Sequence, residues 1–128
     1  MDREILFRGK FGNDWKYGYL SIEPKGLVIK EPYELNQSHI WHIDPETVGQ
    51  YTGLLDKNGK KIFGGDIVKD EQSGYEYVIK WFSEYACFAL ANKNGHMEYD
   101  VDEFEMLVND LIVVGNIHDS SDFAEASE

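Results

Sequence analysis

Short apolar stretches and turn-forming residues alternate along nearly the whole chain. Ile5-Leu6-Phe7 opens a first strand, and Gly12-Asn13-Asp14 is a reversal signal. Tyr17 to Ile22 (YGYLSI) alternates as a second strand. Pro24-Lys25-Gly26 then turns into Leu27-Val28-Ile29, whose β-branched content favours extension. Residues 31–38 (EPYELNQS) are polar and contain a proline, which predicts a connection. His39 to Asp44 (HIWHID) is short and apolar. Asp44-Pro45 should end it, because a residue before proline is pushed out of the helical region.

The stretch VGQYTGLLDKNGKKIFGGDIVKD, Val48 to Asp70, holds five of the twelve glycines. Tyr51 to Leu55 reads as a strand, Asp56-Lys57-Asn58-Gly59 as a tight hairpin turn, and Lys60 to Phe63 as the return. Gly64-Gly65-Asp66 reverses the chain into Ile67-Val68-Lys69. Ser73-Gly74 leads into YEYVIKWF, where Tyr75, Tyr77, Ile79 and Trp81 share a face by period-two alternation. Ala86 to Ala91 is the next strand, and Lys93-Asn94-Gly95-His96 is another hairpin turn.

Beyond Gly95 the pattern changes. Glu98 to Asp102 alternates acids with apolar residues, as a half-exposed strand does. Asp102 and Glu105 have the spacing of a capping box, which predicts a single helical turn. Leu111 to Val114 is a continuous apolar run, the pattern of a strand buried on both faces. The tail after His118 is polar, with a short helix able to start at Ser121 or Asp122. This pattern predicts a mainly β chain: a small antiparallel barrel or sandwich with at most short helical turns, in two lobes divided near Glu46.

Composition narrows the class. A hydrophobic fraction of 42% is enough for a packed core, and no apolar run approaches the ~20 residues that span a bilayer. The opening MDREILFRGK carries acids and only a three-residue apolar run, unlike a signal peptide, so a cytoplasmic protein is expected. The one cysteine, Cys87 in Ala-Cys-Phe-Ala, is expected to be a buried structural thiol. Net charge is −12, and all of the imbalance lies in one half. Residues 1–65 carry nine basic and nine acidic side chains; residues 66–128 carry three basic and fifteen acidic. Such a half repels phosphates, so direct nucleic-acid binding is not expected of it. The near-neutral first half, with Arg3, Arg8, Lys10 and Lys16, is the only support for direct binding.

Candidate chemistry is sparse. A P-loop needs Ser or Thr after GxxxxGK and a helix beyond it, whereas Gly59 is followed by Lys60-Lys61-Ile62 between strands. An EF-hand counted from Asp56 would place Ile67 where the bidentate Glu belongs. His39 and His42, three apart on an expected strand, face opposite sides. No serine lies in a GxSxG or SxxK context. No catalytic residue, cofactor or metal is therefore predicted. Aromatic residues such as Trp15, Tyr17, Trp41 and Trp81 could stack bases or sugars, or serve as core and rim. The acidic run Glu98, Asp100, Asp102, Glu103 and Glu105 is the predicted interaction surface, set against the plainer reading of a charged edge that deters strand pairing.

Gln50 to Lys69, QYTGLLDKNGKKIFGGDIVK, closely resembles the signature of the YopX family of bacteriophage and prophage proteins. That family has a Tyr-Thr-Gly-Leu segment, an Asp-Lys-Asn-Gly turn and a Gly-Asp-Ile-Val strand in this order. Val113 to Asp119 (VVGNIHD) resembles its closing element, with His118 where an aromatic is usual, and Arg3 to Gly9 resembles its start. The resemblance implies an SH3-like barrel in the C-terminal part. With the division near Glu46 and the polar tail, the expected organisation is a lobe over 1–46, an SH3-like barrel over 47–118 and a polar tail over 119–128. It implies no established enzymatic activity, and therefore no catalytic residues to carry over. The matching Tyr51, Thr52, Gly53, Gly59, Gly65, Asp66, Gly115 and Asn116 are expected to be structural punctuation, with Asp66 binding nearby backbone amides.

Together these readings predict a non-enzymatic accessory protein of phage or prophage origin that binds another protein in the cytoplasm of the bacterial host. Self-association is a further expectation. The alternative is an acidic mimic of nucleic acid that blocks a host DNA-binding protein.

Overall fold

The structure, a computed structural model, describes residues 4–119. Those residues form eleven strands and one short helix, and the chain divides into two compact units after Tyr51. The short helix expected at Ser121 or Asp122 lies outside the described residues.

In the first unit, β1 (Phe7–Phe11), β2 (Asp14–Glu23), β3 (Gly26–Glu34), β4 (Gln37–His42) and the start of β5 (Asp44–Leu55) form an antiparallel sheet. Its order is β4-β3-β2-β1-β5. The residues 31–38 that read as a connection are instead the tip of a hairpin, with Glu31 paired to His39 and Pro32 to Ser38. A proline is tolerated there because β2 pairs with β3 only as far as Lys30. Beyond that point one edge of β3 has no ladder partner to lose. Leu35 and Asn36 make the turn, and Asn36 takes the left-handed conformation that its short polar side chain allows (φ 62°).

Asp44-Pro45 ends HIWHID, but it also begins the twelve-residue β5. The β1–β5 register jumps from Arg8↔Gly49 to Lys10↔Asp44, so Pro45 sits in an irregular segment that needs no ladder hydrogen bond from it. Close packing fixes the middle of this sheet. A Cβ on Gly18 would stand 2.3 Å from the Lys30 carbonyl oxygen, and one on Gly9 would stand 2.4 Å from Ile43 Cδ1. Val28 and Ile29 are both fully buried, although they point to opposite faces of β3.

In the second unit the end of β5 lies beside β6 (Lys61–Phe63). A second antiparallel sheet follows in the order β10-β9-β8-β7-β11. It consists of β7 (Asp66–Asp70), β8 (Glu76–Phe82), β9 (Cys87–Ala91), β10 (Met97–Tyr99) and β11 (Leu111–Asn116). Both sheets keep terminal strands, so neither closes into a barrel. Ile62, Val68, Tyr77, Ile79, Leu90, Phe104 and Leu111 form the main core of this unit. Val78 and Ile67 pack with Ile117 in a separate small cluster. The middle of β8 is thus covered on both sides, and the expected four-residue face shrinks to Tyr77 and Ile79. Tyr75 precedes the strand, and Trp81 is half exposed near its end. Burial pushes the Tyr77 phenol up to about 12, with the hydrogen bond to Tyr99 adding to the shift.

Glu98 to Asp102 does not continue as a strand. The chain turns at Asp100 into helix α1 (Val101–Leu107), which drops Phe104 into the core. Burying that ring stabilises the unit by roughly 2–3 kcal/mol. The capping box is Asp100 with Glu103, two residues earlier than the spacing of Asp102 and Glu105 suggests. Phe104 must face inward, and that sets the phase of the helix. β11 is not buried on both faces either. It is a terminal strand paired only to β7, so Leu111 is buried while Val114 is exposed.

The other edge of β11 is met by the Asp56 turn. Asp56 Oδ1 accepts the backbone N–H groups of Asn58 and Lys60, and Oδ2 accepts that of Val113, all at 2.8–2.9 Å. Lys57 N–H donates to the Leu111 carbonyl at 2.8 Å. Gly59 closes the turn with φ 84°, a conformation that suits glycine. Across the same hairpin, Thr52 Oγ1 donates to the carbonyl of Ile62, three residues beyond Gly59. Asp66, fully buried, accepts the Phe63 N–H at 2.7 Å and so closes the next reversal, as expected of it.

Burial by itself would push the Asp56 carboxyl up. The N–H donors of Val113, Lys60 and Asn58, with the Lys60 charge, outweigh that and hold it below the usual carboxylate range. Three outcomes follow from this architecture. Asp56→Ala strands three backbone donors, and its unfolding free energy should fall by ~2–4 kcal/mol in urea titrations. The Asp56 contribution is complete above its unfolded pKa of about 3.9 and disappears as pH drops through the lower folded value. Stability between pH 5 and pH 2 should therefore decline less steeply in Asp56→Asn than in the parent protein. Gly18→Ala forces a methyl onto a backbone oxygen and should cost ~1–3 kcal/mol, read as a lower melting temperature.

Candidate functional site

The carboxylates of the glycine-rich turns are engaged by backbone groups of the chain itself. The Asp56 oxygens already accept three N–H groups, and Asp66 is buried against its own turn. A phosphate arriving at either would meet a carboxylate of like charge. His39 and His42 lie on β4 with opposite orientations, and the His39 ring stacks on Tyr33 with centroids 4.3 Å apart. Cys87 is half-buried rather than buried, on β9 opposite Phe82.

The predicted acidic residues lie in one exposed segment where β10 passes into α1. The structure gives them different roles. Glu98 Oε1 accepts from Asn92 Nδ2 at 2.9 Å, across the β9–β10 hairpin. Asp100 accepts the Glu103 N–H at 3.0 Å, and Glu103 reaches back to the Asp100 N–H at 3.1 Å. Asp102 stands in the first turn, where negative charge is favoured by the helix dipole. Asp102 and Glu105 make no hydrogen bond or ion pair among the described residues. Beside Glu105 stands Met106, an apolar side chain 80% exposed. On a helix, residues 102, 105 and 106 share one side, so the outward face of α1 combines two carboxylates with one thioether.

Two further surfaces carry exposed aromatic rings. In the second unit, Trp81 and Tyr85 line an open groove of about 460 Å³ with Lys80 and His96. Lys80 Nζ donates to the Gly95 carbonyl at 3.2 Å, which ties the two hairpin ends of that groove together. Trp81 leans edge-on against Phe88, 5.0 Å between centroids. In the first unit, Lys16 Nζ sits 3.9 Å from the Trp41 ring centroid, and Phe11 packs on the same indole at 5.2 Å. The opposite face of that sheet presents Tyr17 and Tyr19. At its far end the Glu23 carboxyl lies below the usual range, held first by the Ser21 hydroxyl and then by Lys30. Tyr19 and Lys30 were not legible as site residues, because only the strand register brings them together.

No helix among the described residues is long and apolar enough to cross a membrane. No curated protein matches this chain. A family model described as YopX protein matches residues 8–125, a span that contains both aspartate-centred turns, the acidic segment and the whole of β2 to β11. With nearly its entire length inside that match, the chain belongs to the YopX family.

Proposed function

We propose that this protein is a non-enzymatic accessory protein of phage or prophage origin that works in the cytoplasm of the bacterial host by binding another protein. The observation that carries the reading is the outward face of α1, where Asp102 and Glu105 flank the exposed Met106. An apolar anchor rimmed by one sign of charge suits a basic protein surface: the thioether supplies buried area, and the carboxylates supply orientation and encounter rate. Glu98, Asp100 and Glu103 shape this surface by holding the strand and the helix N-terminus in place.

Affinity capture from host lysate at low salt tests it. A specific basic partner should be retained by the parent protein and lost from the triple variant Asp102→Lys, Glu105→Lys, Met106→Ser. A change in affinity of at least tenfold is expected by calorimetry with the purified partner. Recovery of only the protein itself counts against the reading. Release of the captured partner by duplex DNA would instead favour the mimic, in which the acidic surface occupies a DNA site.

A further inference from the structure

Across the first unit's sheet, cations face aromatic rings in register. Lys10 lies opposite Trp15 and Arg8 opposite Tyr17 in the β1–β2 pairing, and Tyr19 lies opposite Lys30 in the β2–β3 pairing. Directly opposed residues share a face, as do residues two apart along a strand. Trp15, Tyr17 and Tyr19 therefore form a single row with Lys10, Arg8 and Lys30 beside it. The two tyrosine rings are presented to solvent, 42% and 58% exposed. Arg8 is buried, with its guanidinium 4.6 Å from the Trp15 ring centroid, so it braces the row from within. Lys10, 5.5 Å from the same centroid, and Lys30 are partly exposed at the two ends of the row. Glu23 lies 3.4 Å from Lys30, and Asp44 is paired with Lys10 in the β1–β5 register, so the cations are few and partly countered.

We propose that this face binds single-stranded nucleic acid over two or three nucleotides, with bases stacked on Tyr17 and Tyr19 and phosphates near Lys10 and Lys30. Stacking on exposed rings between flanking cations is how sequence-tolerant single-strand binders work, because every base has a π-face. Residues two apart on a strand are ~7 Å apart, about twice the ~3.4 Å step between stacked bases in a duplex. Only splayed bases can use both rings, and a single strand allows that. The net charge of −12 also works against a densely charged duplex. The excess of carboxylates that repels phosphate lies in the second half, and this row lies in the near-neutral first half. The proposal rests on residues of the first unit alone and does not depend on the α1 surface.

Fluorescence anisotropy of the full chain with labelled ten-nucleotide oligo-dT and oligo-U, at 20 and 200 mM salt, tests the proposal. Both should bind at 20 mM, and two phosphate contacts should weaken binding about 25-fold over the tenfold rise in salt. A blunt duplex of the same length should not bind. The double variant Tyr17→Ala, Tyr19→Ala should bind at least tenfold more weakly, whereas Tyr17→Phe, Tyr19→Phe keeps the rings and should bind as the parent does. Lys10→Gln with Lys30→Gln should flatten the salt dependence, which keeps the test decisive if the alanine pair fails to fold. Absence of binding by both oligonucleotides at 20 mM salt would overturn the proposal. So would an alanine pair that melts and binds like the parent, or displacement of the oligonucleotide by a short poly-glutamate peptide at equal concentration.

Discussion

Three backbone N–H groups converge on the carboxylate of Asp56, two from its own turn and one from a strand fifty-seven residues away. That convergence ties the hairpin turn to β11 of the second sheet. β11 is a terminal strand, and its outer edge would otherwise present unpaired backbone groups to any passing strand. The turn occupies two of those positions, with Oδ2 on the Val113 N–H and the Lys57 N–H on the Leu111 carbonyl. Gly59 matters because its φ of 84° lets the backbone wrap tightly enough to bring both donors onto one carboxylate. Leu111 then reaches the core with Ile62, which returns from the same turn.

The same use of side-chain oxygen as a backbone acceptor recurs through the chain. Asp44, Asp56, Asp70, Asn92 and Asn116 each accept the N–H two residues on. Asp66 does so in reverse for Phe63, and Asp100 caps α1. Short strands need many reversals, and each reversal leaves backbone donors that a nearby Asp or Asn can satisfy. Asp66, Asp70 and Asp100, three acids of the charged half, are thus held by the backbone they fold. The carboxylates of Asp102 and Glu105 on α1 are among those that neither the turns nor the helix cap engage.

The first unit solves its packing differently. Gly9 and Gly18 keep the sheet backbone bare where Ile43 and the Lys30 carbonyl press against it. That close contact fixes which residues of β2 face which residues of β1 and β3. The pairing of aromatic rings with cations on one face follows from that register.

Turn chemistry and strand propensity were legible residue by residue. Asp56-Lys57-Asn58-Gly59, Gly64-Gly65, Ser73-Gly74 and Lys93 to Gly95 all reverse the chain where their conformational freedom and side-chain acceptors say they should. The backbone-binding role of Asp66 could likewise be read from its place after two glycines. These are local properties, decided within four or five residues. Tertiary structure alone decided the rest. Whether Pro32 interrupts a strand depends on whether a neighbour needs its missing N–H, and the β2–β3 pairing has already stopped at Lys30. Which acid caps α1 depends on Phe104 finding the core, and the burial of Leu111 to Val114 depends on β11 standing at a sheet edge. The meeting of Tyr17 with Arg8 and of Tyr19 with Lys30 depends on register across three strands. The sequence determined where the chain bends because bending is local; what faces what was settled only when distant strands competed for the same edges and the same core.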